Sequence, residues 1–111
     1  MADDNLGYAA AFDAAIQTVT KIRGETYGHP LNDFELAHRL KEPLRACRDP
    51  VVRHALEMIC VKMARITHAP DNVHLDSVID IAGYARTIAM IWDERVEREK
   101  ERAYGEQRET R

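Results

Sequence analysis

At 111 residues, with 45% hydrophobic and 32% charged residues, the chain has the size and composition of one globular domain with a single core. A formal net charge of −3 argues against a general nucleic-acid binder, because neutralising phosphates needs a surplus of Lys and Arg. Two cysteines without metal or redox spacing, no basic-then-apolar leader and no apolar run of about 18 residues make a reduced, cytoplasmic protein with no membrane partner the expectation.

Taken in order, YAAAFDAAIQTVTKIRG carries Phe12, Ile16, Val19 and Ile22 at helical spacing, and Gly24 suits the left-handed residue that closes a helix. In ETYGHPLNDF, Gly28, His29 and Pro30 force a turn and Asn32 is placed to cap the next helix. That loop gathers Tyr27, His29 and Asn32 within six residues and is the loop best suited to touch a ligand. A second helix is expected over about 33–47, presenting Phe34, Ala37, Leu40 and Leu44, with Pro43 kinking it or splitting off a last turn. Asp49 before Pro50 marks a new start, a capping acid ahead of proline at the first helical position, and the third helix should end near His68.

The fourth helix, beginning between Asn72 and Asp76, organises the rest. Leu75, Val78, Ala82, Ala85, Ala89, Trp92 and Val96 form one stripe at steps of three and four, expected to face a partner helix. Ile81, Tyr84, Ile88 and Ile91 form a second. Asp76, Asp80, Gly83 and Thr87 fall within about 60° of one another on the same helix. An ionised carboxylate row cannot leave water without a cation, a metal or hydrogen-bond donors. The third helix offers the cations. Lys62 sits within about 60° of Val51, Ala55, Met58, Ile59 and Ile66, inside an apolar face, with Arg65 at its edge. A short connection from His68 to Leu75 makes the two helices antiparallel, so Lys62 and Arg65 should approach Asp76 and Asp80. Such a cluster either fixes helix register only, or lines a pocket in which Lys62 and Arg65 hold phosphate oxygens and Asp76 and Asp80 bind Mg2+. Further acids would come from Glu57, Glu35, Glu42 or another subunit.

TYGHPLNDF, VKMARI and DSVIDIAGYA in this order resemble a group of small, mostly phage and prophage proteins of unknown function. That group shares a Tyr-Gly-Xaa-Pro loop, a Lys-Xaa-Xaa-Arg helix and an Asp-rich helix ending in Gly-Tyr, and the likeness spans about 23–84. More remotely, the paired helices resemble the all-α nucleoside triphosphate pyrophosphohydrolases of the MazG and dimeric dUTPase type. That resemblance implies oligomeric four-helix bundles that bind Mg2+ through a Glu-Xaa-Xaa-Glu helix and a Glu-Xaa-Xaa-Asp helix and release pyrophosphate. Asp80 matches the last Asp of the second motif, and Ser77 takes the place of its Glu, with Asp76 adjacent. The first motif is absent: after Glu57 come Val61 and Lys62 where acids would stand. Lysine there favours holding an anion over activating a hydroxide.

These readings converge on an all-α, antiparallel four-helix bundle, MazG-like and homo-oligomeric, with a helical domain over 1–96 and a charged, solvated extension over 97–111. The expected function is nucleotide binding, in the host cytoplasm if the protein is phage-encoded. As a Mg-dependent pyrophosphohydrolase it would use Asp76, Asp80 and Lys62 in catalysis, Asp76 and Asp80 on the metal, and Lys62, Arg65, Tyr27, His29 and Asn32 on the substrate. The alternatives are a non-catalytic protein that sequesters a nucleotide or signal nucleotide, and a helical protein-interaction module. Gly83 either permits close helix approach or leaves room for a ligand above Asp80. Cys60, Met58, Met63 and Met90 read as core.

Overall fold

The computed structural model describes residues 7–68 and 74–110, the side chains of 26, 27, 109 and 110 excepted. The described residues are helical throughout apart from short connections, and contain no strand. Four helices follow one another: α1 (Tyr8–Tyr27), α2 (Pro30–Lys41), α3 (Pro50–His68) and α4 (Leu75–Thr110), with a 3-10 turn at Glu42–Ala46 between α2 and α3.

Local chemistry explains the boundaries. α1 passes through Gly24 and stops four residues later, where Gly28 takes φ 81°, a left-handed conformation that glycine adopts without a Cβ penalty. Next comes His29, which precedes Pro30 and is thereby driven to extended backbone, φ −74° and ψ 132°. Its Nδ1 accepts from the Leu31 amide at 3.1 Å, so His29 caps α2, and Asn32 falls inside the first turn instead of capping it. Pro43 ends α2 by converting its last turn to 3-10, as a residue that lacks the N–H must. Asp49 caps α3 as expected: its Oδ1 accepts from the Val51 and Val52 amides, each at 3.2 Å, with Pro50 at the first helical position.

α3 is the centre of the fold, packed against α2 on one side and α4 on the other, whereas α2 and α4 do not touch. Its sequence dictates this. On a wheel at about 100° per residue, Ala55, Lys62 and Ile66 cluster on one face, and Arg53, Cys60, Ala64 and His68 cluster on nearly the opposite one. The buried residues Ala55, Cys60 and Ala64 divide between the two, and Ala64, fully buried, lets a helix approach closely.

The arrangement departs from a closed four-helix bundle. α1 meets α2 and α3 only sparsely and does not reach α4. Its apolar stripe is exposed, Phe12 by 64% and Val19 by 50%. On α4, the half-buried stripe is Ile81, Tyr84, Ile88 and Ile91, while Leu75, Val78, Ala82, Ala85, Ala89, Trp92 and Val96, expected to face a partner helix, are all exposed. Met63 and Met90, expected in the core, are exposed as well. The radius of gyration is 21.2 Å, against about 13 Å for a compact chain of this length. α4 runs unbroken past Val96 to Thr110, so the charged extension continues the same helix. No described helix is long and apolar enough to cross a membrane.

Candidate functional site

The α3–α4 seam holds the expected ion pair. Lys62 Nζ lies 3.1 Å from Asp80 Oδ2, with 13% of the lysine side chain and 46% of the aspartate side chain exposed. The lysine stem is thus covered by the aliphatic face of α3 while its head reaches the edge of the seam, where the carboxylate is still wet. One turn further along α4, Gly83 faces open space: nothing lies within 4 Å of where a Cβ would sit. Thr87, the next residue in that row, donates its hydroxyl to the Gly83 carbonyl at 2.9 Å. Close helix approach is therefore not what Gly83 serves among the described residues; it leaves a gap beside Asp80.

The same pair of helices carries a cleft that was not legible in the sequence. Thr87 also lines a cavity of about 560 Å³ together with Val51, Met90, Ile91, Glu94, Arg95 and Arg98. Its size is that of a small-molecule site, which typically takes ~300–1,000 Å³. Among its lining residues is Arg95, whose guanidinium forks onto both Asp49 carboxylate oxygens, Nη2 to Oδ1 at 3.0 Å. The Arg95 hydrogen bonds, aided by the Val52 amide, hold the Asp49 carboxyl well below the usual carboxylate range, and the same contact raises Arg95. Arg98 pairs with Glu94 at 3.1 Å while keeping most of its side chain in solvent. The groove between α3 and α4 therefore joins an apolar wall to a rim of paired charges, Arg95 with Asp49 and Arg98 with Glu94.

The other expected residues divide by side. Arg65 is half-buried at the edge of the seam, and Asp76 is exposed in the first turn of α4; each has polar interactions of its own. His29 and Asn32 are exposed at the start of α2, on the opposite face of α3 from α4. One chain thus does not join them to the Lys62–Asp80 pair. Tyr27 ends α1, and its side chain lies outside the described residues. Of the acids considered as further metal ligands, Glu57 is paired with Arg53 at 3.6 Å and Glu42 with Arg45 at 3.2 Å. Both line a separate polar cleft with His38 and Lys41 on the α2 side of α3. Glu35 is exposed on α2. Asp80 is paired with Lys62, and no three His, Cys, Asp or Glu side chains converge among the described residues.

Two further polar side chains, Asp33 on α2 and Ser77 on α4, are buried in a way not legible in the sequence. Asp33 is 5% exposed, and its Oδ1 has no hydrogen-bond partner among the described residues, with His68 Nδ1 at 3.9 Å. Ser77 is 1% exposed and its hydroxyl is likewise unmatched. Cys60 and Cys47 are free thiols, and burial pushes the Cys60 thiol up, away from the thiolate form a nucleophile needs.

A model of the family described as a domain of unknown function (DUF6378) matches residues 10–92, from within α1 to Trp92. No curated protein and no solved structure matches the chain.

Proposed function

Because the chain belongs to this family of domains of unknown function, we propose its role from its own geometry: it binds a nucleotide or a similar phosphorylated small molecule in the α3–α4 groove, without a metal-activated water. The observation that carries this reading is the groove itself, a cavity of about 560 Å³ with Val51, Met90 and Ile91 on its wall and Arg95 and Arg98 on its rim. Thr87, on its wall, belongs to the same α4 row as Asp80 and Gly83. The apolar wall suits a base or another flat ring, and arginine is the side chain that meets phosphate oxygens in pairs.

Binding is favoured over pyrophosphate release by the same donors. Metal-assisted attack needs carboxylates free to hold the ion, and Asp80 already neutralises Lys62 at 3.1 Å. The MazG-like resemblance is kept for the helical ligand groove, and the hydrolytic role implied by it stands as the second reading, carried by the Asp76 and Asp80 row alone.

Calorimetric titration of the full chain with linear and cyclic nucleotides, with and without Mg2+, tests the proposal. Saturable binding that needs no metal and is lost in Met90→Glu supports it. Pyrophosphate release that requires Mg2+ and disappears in Asp80→Asn would replace it with the hydrolytic reading. Silence toward every nucleotide, in a folded protein, leaves the ion pair as a device for helix register and the chain as an interaction module.

A further inference from the structure

We infer that the exposed apolar stripe of α4 is the contact surface of a symmetric dimer in which α4 of a second copy lies antiparallel on it. Two observations carry this. The first is area. The chain exposes 9,024 Å², whereas a compact monomer of its mass exposes about 6,200 Å². That excess, several times the ~800 Å² that each partner of a stable complex buries, is shared among the exposed faces of α1 and α4, the α4 stripe among them.

The second is the order of side chains along the stripe, which is self-complementary. Around a two-fold axis beside Ala85, Leu75 opposes Val96 of the second copy, Val78 opposes Trp92, Ala82 opposes Ala89, and Ala85 meets itself. Large residues lie at both ends, and Leu75, Val78, Trp92 and Val96 are each more than half exposed. Alanines lie at the middle, where two crossing helices come closest. An isologous contact sets each residue against its counterpart in reverse order, and on this stripe that places large residues against large ones and alanines against alanines. The α3–α4 groove stays open in such a dimer, because Asp80, Thr87 and Arg98 fall on roughly the opposite side of α4 at about 100° per residue. The inference therefore stands whether or not the groove binds a nucleotide.

Light scattering on the full chain should give a dimer. Ala85→Arg places two like charges at the axis and should weaken association on the order of a hundredfold or more, with helical content by circular dichroism unchanged. If that variant does not fold, Ala85→Cys decides instead: mild oxidation should link two copies of it through residue 85, and leave the parent chain, with Cys47 and Cys60, unlinked. A parent chain that is monomeric overturns the inference. So does a dimer in which Ala85→Cys does not self-link but does link to a copy carrying Ile16→Cys, since α1 would then be what covers the stripe.

Discussion

Asp49 uses one carboxylate twice. Its Oδ1 receives the first free amides of α3, and both oxygens receive Arg95 from the middle of α4, so a helix cap also clamps two helices together. With the carboxyl held below its ordinary range, Asp49 contributes stability that is present above about pH 4, the unfolded value, and is lost as the pH falls through the depressed folded value. Arg95→Leu should lower the melting temperature at neutral pH, and the gap between variant and parent should close progressively in acid; a gap independent of pH would refute the clamp. Ser77 runs the other way. A buried hydroxyl without a partner costs its desolvation, so Ser77→Ala should be neutral or raise stability by about 1 kcal/mol in chemical denaturation. The Lys62–Asp80 pair was legible in the sequence because it needs only helical phase and a short connection. The Arg95–Asp49 pair was not, because it joins residues 46 apart and Asp49 reads in the sequence only as a helix cap.

At the scale of elements, Gly28 and Gly83 separate backbone demand from spare room. Gly28 has a positive φ and nothing near a would-be Cβ, so Gly28→Ala should cost about 1 kcal/mol or more through backbone strain alone, read as a lowered denaturation midpoint. Gly83 is in regular helix with open space beside it, so Gly83→Ala should stabilise α4 by about 1 kcal/mol. A larger residue, Gly83→Leu, should keep that fold and reduce nucleotide binding if the ligand passes over Asp80. The start of α3 was readable from Asp49 and Pro50, since both side chains act within one turn. The end of α1 was not: a helix crosses a glycine at a cost of about 1 kcal/mol, and here it continues through Gly24 to Gly28, beyond which the residue before Pro30 resists the helical conformation. The same proline sets the register of α2 and so puts Asn32 inside the helix that it was expected to cap.

For the whole molecule, apolar spacing reveals which faces need cover and is silent on what covers them. The stripes on α1 and α4 were both visible in the sequence, and a closed bundle would have matched them within one chain. α3 prevents this by carrying apolar faces on opposite sides, which sends α2 and α4 apart and leaves α1 against the edge of both α2 and α3. The resulting single chain, 71 Å long and 24 Å thick, keeps its largest hydrophobic residues at the surface. A fold of this kind should draw much of its stability from association. Unfolding of a dimer releases two chains, so mass action on that equilibrium raises the melting temperature with concentration, whereas a self-sufficient monomer melts at one temperature throughout. Thermal unfolding followed across a hundredfold range of concentration should therefore shift upward by several degrees in the parent chain and stay fixed in Ala85→Arg. An invariant midpoint in the parent would mean that this open arrangement of helices holds itself together, and that the exposed stripe on α4 contributes nothing to stability.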